Sequence, residues 1–225
     1  MADEPSFRFP ISAKPQGEEV SAEEAERRLL ARLQQKECEL DEAIFELAWF
    51  YSTCGRQEVS FGYVQRLLSQ TTDPEKLARC YLTLGQLMEQ IDDYQAAIIY
   101  YRQAFEMEPV SSTTWYFINN NLGYCLNVGG AYIAAEPYLR AAIEIDPDRY
   151  NAYKNLGISL HGQGDCVGAA RAYVKATQAD ASDGRALRLL EILLQTHPEI
   201  SDSILDIDEQ LARCRQAVKL ATQFR

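Results

Sequence analysis

The chain has 225 residues, enough for one elongated domain or two small ones, and 47% of them are hydrophobic, enough for a packed core. Its net charge of −11 argues against nucleic acid as the main ligand, because phosphate binding needs clustered Lys and Arg. The acidic balance is read first as a solvated acidic surface and second as favouring basic or neutral partners.

Residues 1–20 carry Pro5, Pro10, Pro15, Gly17 and several acids and are expected to be a disordered tail. Phe7-Arg8-Phe9-Pro10 is the part of it able to anchor on something, either a partner or this protein's own groove. The N-terminus Met-Ala-Asp-Glu-Pro has neither the basic start nor the apolar stretch of a secretory signal. Ser21-x-x-Glu24 reads as a capping box opening an amphipathic helix over 21–40, with Leu29, Leu30 and Leu33 set among charges. This helix is expected to cover the open end of the first helical unit after it.

Three later segments repeat one sparse pattern. They are Tyr81-x2-Leu84-Gly85-x2-Met88, Asn119-x2-Leu122-Gly123-x2-Leu126 and Tyr153-x2-Leu156-Gly157-x2-Leu160. At a fixed offset each is followed by a small residue (Ala97, Ala135, Ala169), then a bulky one (Tyr101, Leu139, Tyr173), then another small one (Ala104, Ala142, Ala176). Asp92-Asp93, Gly129-Gly130 and Gly164-Asp165 mark turns inside the units. Glu108-Pro109 and Asp146-Pro147 break the chain between units. Pro137 falls near the start of a second helix, where proline is tolerated best. A degenerate first copy is readable over 41–74, with Leu47, Ala48, Tyr51 and Gly55 in phase but Ser60, Val64 and Leu67 in place of the small–bulky–small set. After the repeats, Gly184–Thr196 places Leu187, Leu190, Leu193 and Leu194 on one helical face, Pro198 ends that helix, and Ile204–Phe224 gives a last one.

The pattern resembles the tetratricopeptide repeat, a helix–turn–helix unit of about 34 residues. The resemblance covers a degenerate unit over 41–74 and full units over 78–111, 116–149 and 150–183, with residues 184–225 as C-terminal capping helices. It implies an all-α, right-handed α-solenoid of about ten or eleven helices with caps at both ends, since a stack otherwise leaves an apolar face in water. Gly85, Gly123, Gly157 and the alanines are expected to let paired helices approach closely. Tyr81, Tyr101, Tyr153 and Tyr173 are expected to fill the space between neighbouring units.

An array of this kind has a concave groove lined by the first helix of each unit. The register assigns to it Arg79, Leu82, Thr83, Gln86 and Glu89 from unit two. Unit three gives Phe117, Asn120, Asn121, Tyr124 and Asn127, and unit four gives Asn151, Lys154, Asn155, Ile158 and His161. Arg79, Gln86, Phe117, Asn120, Asn121, Tyr124, Asn127, Asn151, Lys154 and Asn155 are the candidate peptide-binding set. Asn121-Leu122-Gly123 and Asn155-Leu156-Gly157 put asparagine at one repeat position, similar to the asparagine ladder that holds peptide backbones in some arrays of this family. The alternative is that these amides cap neighbouring helices or bond across the seam between units. A clamp for a C-terminal carboxylate, known in another subgroup, would want lysine, asparagine, asparagine, lysine and arginine where this chain has Leu82, Gln86, Asn121, Asn151 and Asn155, so only Asn121 matches. Any site is therefore expected toward the C-terminal half of the groove, with Phe117 and Tyr124 as anchors.

The six cysteines form no CxxC pair, and the only histidines, His161 and His197, show no metal-ligand spacing. The chain carries no nucleophile elbow, Walker loop or GxGxxG. No catalysis, cofactor or metal is expected. No apolar run has the length of a membrane span, and unpaired cysteines fit a reducing compartment, so a cytoplasmic protein is expected. The function implied is a non-enzymatic scaffold or adaptor that binds a peptide segment of a protein partner, with no nucleic acid or membrane involved. The second reading is a self-assembling chain, a homo-oligomer that packs a terminal segment into a neighbour.

Overall fold

The computed structural model describes residues 24, 27, 28, 31 and 40–223. The expected tail over 1–20 lies outside the described residues. So does the helix expected over 21–40, apart from Glu24, Arg27, Arg28 and Ala31, which are helical, and Leu40. Among the described residues eleven helices follow one another and no strand occurs: α1 (Leu40–Thr53), α2 (Gln57–Gln70), α3 (Pro74–Gln90), α4 (Tyr94–Glu106), α5 (Ser112–Val128), α6 (Tyr132–Ile145), α7 (Tyr150–Gly162), α8 (Cys166–Ala179), α9 (Arg185–Thr196), α10 (Ile200–Ser203) and α11 (Ile207–Thr222). Helices pair antiparallel in sequence order, α1 with α2, α3 with α4, α5 with α6 and α7 with α8, and each pair stacks on the next.

Local chemistry starts these helices where polar side chains can take the free N–H groups of a first turn. Asp73 accepts from Glu75 N at 2.9 Å and precedes Pro74 at the first helical position. Asp93 accepts from Ala96 N at 3.0 Å and Asp165 from Gly168 N at 2.8 Å. The turns inside the pairs share one left-handed residue at one repeat position: Gly55 (φ 72°), Asp92 (φ 59°), Gly130 (φ 75°) and Gly164 (φ 85°). Asp92 is the one that is not glycine, and its carboxylate accepts from the Tyr94 hydroxyl at 2.8 Å.

Close approach within a pair is a matter of matched volumes. A Cβ on Gly85 would stand 2.4 Å from the Tyr101 ring, one on Gly123 would stand 2.5 Å from Leu139, and one on Gly157 would stand 2.4 Å from the Tyr173 ring. The bulky residue of each second helix therefore fills the notch left by the glycine of its own first helix. This corrects the expectation that Tyr101 and Tyr173 fill the space between units. In the first pair the same positions hold Ala48 and Val64, both fully buried in one cluster. A larger residue on one helix is met there by a smaller one on the other. Ser60 stands where the other pairs have alanine, and its hydroxyl donates to Ala48 O at 2.6 Å. The degenerate pair thus keeps the packing logic with different residues.

Pro137 is the sixth residue of α6, in its second turn rather than its first. At the C-terminal end α9 and α11 lie on α8, and Ile200, Ile204, Ile207 and Cys214 join the main core. Arg215 on α11 pairs with Glu191 on α9 at 2.6 Å. The last helix begins at Ile207, three residues later than expected. No described helix is long and apolar enough to cross a membrane.

Candidate functional site

First helices α1, α3 and α5 line an open cavity of 650 Å³ on the concave side. The Glu75 carboxylate ties α3 to α5, accepting from Ser111 N at 3.1 Å and Thr114 Oγ1 at 2.8 Å. Ser52 on α1 donates to Gln90 on α3 at 2.7 Å. These bonds hold the three walls in register. Seven of the residues assigned to the groove by the repeat pattern line this cavity, Arg79, Leu82, Thr83, Gln86, Glu89, Phe117 and Asn121, and four of them (Arg79, Gln86, Phe117 and Asn121) belong to the candidate peptide-binding set. Arg79 stacks its guanidinium 4.2 Å from the centre of the Phe45 ring, and Arg149 does the same to Phe117 at 5.0 Å.

Of the other lining residues, Trp49 and Glu89 bear most on what the cavity can bind. Trp49 is 45% exposed although it is a large aromatic, and it faces the cavity from α1. It occupies the same repeat position as Gln86 and Tyr124, so the register could have found it had the degenerate unit been included. Glu89 is partly buried, and burial is the main reason its carboxyl titrates above the usual carboxylate range. Hydrogen bonds from Tyr101 and Cys125 act in the opposite direction. Among the described residues no lysine or arginine forms an ion pair with Glu89.

The amides of units three and four behave differently. Asn155 Nδ2 donates to Asn120 Oδ1 at 3.1 Å, Asn120 Nδ2 to Asn121 Oδ1 at 2.9 Å, and Asn121 Nδ2 to the Tyr101 hydroxyl at 3.4 Å. Tyr101 in turn donates to Glu89. Asn127 Nδ2 donates to the backbone oxygen of Asn155 at 2.8 Å. Asn120, Asn127 and Asn155 are all buried, at 8%, 5% and 4% exposure. Of the two readings given for the repeated asparagines, Asn155 fits the second: it bonds across the seam between α5 and α7. The repeat register gives the side of a helix a residue occupies, but not how closely the next first helix covers it. Asn121 alone of these amides both reaches the cavity and joins the chain of bonds. That chain runs across three units and ends on the Glu89 carboxylate.

The remaining candidates lie apart from the cavity. Tyr124 meets Tyr94 edge-on with ring centres 6.1 Å apart. Asn151 accepts from Lys154 Nζ at 3.3 Å, and burial first, then Arg185, pushes the Lys154 ammonium below its usual range. The cavity therefore sits toward the N-terminal half of the groove, whereas the amide-rich register pointed to the C-terminal half.

The profile of the family described as "Tetratricopeptide repeat" matches residues 78–111 and 118–149. The chain is a tetratricopeptide repeat protein. Among curated proteins it is 29% identical over 125 residues to "Tetratricopeptide repeat protein 8" of Caenorhabditis elegans, covering 55% of this chain and 23% of that protein. It is 27% identical over 138 residues to "BBSome complex member bbs-4" of the same organism, covering 61% of this chain and 29% of that one. The chain thus spans less than a third of the length of either relative. Among solved structures, PilF of Pseudomonas aeruginosa aligns with a TM-score of 0.62 at 16% identity, over 90% of this chain and 96% of that one. MamA of Desulfovibrio magneticus RS-1 gives 0.61 at 18% identity, over 81% and 96%. YrrB, described as a TPR protein with an unusual peptide-binding site, gives 0.60 at 18% identity, over 88% and 97%. At these identities the likeness is one of fold: the helix pairs of this chain form a tetratricopeptide α-solenoid.

Proposed function

We propose that this tetratricopeptide repeat protein is a non-enzymatic adaptor that binds a peptide segment of a protein partner in the cavity between α1, α3 and α5. The observation that carries the reading is Glu89. Its carboxylate is partly buried, is met by hydrogen-bond donors only, and shares the cavity with an exposed indole, Trp49. A lysine or arginine of the partner answers the carboxylate. An apolar neighbour of that residue packs on Trp49 and Phe117, and Gln86 and Asn121 supply amides for the peptide backbone. The net charge of −11 speeds encounter with a basic partner.

The test is a panel of fluorescent peptides read by anisotropy against the full chain. Peptides carrying a basic residue beside an aliphatic or aromatic one are expected to bind, less tightly at high salt. Replacing the basic residue with norleucine, or Glu89 with Gln, should each cost about 1.5–3 kcal/mol, roughly a 10–100-fold loss. Trp49→Ala should weaken binding as well. Affinity indifferent to both substitutions, or no binding across the panel, overturns the reading. A solution mass that grows with concentration above one chain of 25.5 kDa would support self-assembly instead.

A further inference from the structure

Both histidines of the chain meet at one place away from the α1–α3–α5 cavity. His161 lies in the last turn of the first helix of one pair, α7, and His197 caps α9, the helix that takes the first-helix place in the next layer. Their ring centres are 6.0 Å apart at 87°. Cys166, the first residue of α8, completes the group. One donor atom from each of His161, Cys166 and His197 lies within 4.8 Å of the other two. The separation of these residues in sequence hides the cluster, and the stacking of one repeat on the next creates it.

The geometry points to a zinc site held by His161, Cys166 and His197. Two imidazoles and a thiolate are a donor set for a borderline transition ion and not for magnesium or calcium, which take oxygen ligands. Tetrahedral zinc with its usual bond lengths separates such donors by about 3.4–3.8 Å, so donors that lie within 4.8 Å of one another need to close by at most about 1.4 Å. His161 is exposed, so its ring is free to swing inward. The other two donors are partly buried and fixed by their backbones: Cys166 N donates to Gly164 O at 3.0 Å, and His197 N to Leu193 O at 2.9 Å. Glu199 supplies what a histidine ligand ordinarily has behind it. Its carboxylate lies 3.0 Å from His197 Nδ1, which leaves Nε2 for the metal and sets the tautomer. On binding, the Cys166 thiol gives its proton to solvent as the sulfur–zinc bond forms, the two imidazoles donate lone pairs, and zinc stays divalent. Water takes the fourth position on the open, His161 side. The ion would pin the α7–α8 turn to the end of α9, joining the last full repeat to its cap.

The full chain, stripped with chelator, should be titrated with cobalt(II) as a spectroscopic stand-in and then with zinc in competition. One equivalent is expected to give visible d–d bands of a tetrahedral site and a thiolate-to-metal charge-transfer band, both erased by zinc. Cys166→Ser should remove the charge-transfer band, while Cys54→Ser should leave it intact. His161→Ala and His197→Ala should each weaken binding about tenfold or more. Because His161 is exposed, its variant tests the site without disturbing the core, and circular dichroism of each variant verifies the fold. Glu199→Gln is expected to weaken binding about tenfold with the spectrum kept, which marks a positioning role. A cobalt spectrum unaffected by Cys166→Ser and His161→Ala, or no one-to-one binding by the full chain, overturns the proposal.

Discussion

Gly157 and Tyr173 show what one atom does in this stack. The tyrosine ring occupies the space a Cβ would need, at 2.4 Å, and both residues are buried. Gly157→Ala must therefore displace a packed aromatic, and it should destabilise the protein by about 1–3 kcal/mol in urea unfolding. The helix propensity gained from alanine, about 1 kcal/mol, offsets part of this. Asn155 poses a different problem. Its amide donates to Asn120 while its own Oδ1 has no partner. Asn155→Ala leaves Asn120 Oδ1 without its donor and should cost about 1–3 kcal/mol, with peptide affinity unchanged. Glu89 links stability to pH. Burial raises its carboxyl pKa in the folded chain, so its contribution is fully present below the ordinary carboxylate pKa and is lost as pH rises through the raised value. Glu89→Gln keeps an acceptor for Tyr101 without a charge. The variant should gain stability relative to the parent as pH rises through that window and match it most closely in acid. Thermal melts across that window check the sign. The same variant should lose affinity for a basic peptide, so one residue trades stability for binding.

Helices here are tuned by exceptions to their own rules. Pro137 removes one hydrogen bond in the second turn of α6 and sits against the carbonyl of Ile133, and both residues are exposed. Pro137→Ala should restore that bond. After allowing for the greater freedom of the unfolded chain, a gain of about 1–2 kcal/mol is expected, read as a higher Tm. The first pair makes the opposite point. Its Ala48–Val64 and Ser60 substitutions look like decay beside the glycine–tyrosine pattern. They keep the joint filled, because packing responds to summed volume and satisfied polar groups and not to residue identity.

At the scale of the molecule, the array is a chain of layers whose ends need covers. α11 covers one end: Ile207 and Cys214 are buried, and Val218 lies in the same core. Ending the chain before Ile207 should expose the outer face of α8 and α9, lower Tm, and promote association in light scattering, while leaving the α1–α3–α5 cavity intact. The repeat itself was legible in the residues, because it rests on local matters. Glycine and alanine at fixed offsets, aspartate caps and proline breaks each act within one helix pair, and the pattern states them in order. The groove was legible only in part. Arg79, Gln86, Phe117 and Asn121 came from register, whereas Asn120, Asn127 and Asn155 sit on the nominal groove side and yet are buried. Residue position on a helix sets direction. The distance between α5 and α7, which sets burial, depends on the side chains of both. Trp49 and Glu89 gain their meaning from three helices together, and His161, Cys166 and His197 from two successive layers. By itself the sequence determined a stack of paired helices, since that arises from contacts short in sequence. Which polar groups face solvent, which bond across the seam and which donors converge were decided by the tertiary structure, because these depend on how one layer settles on the next.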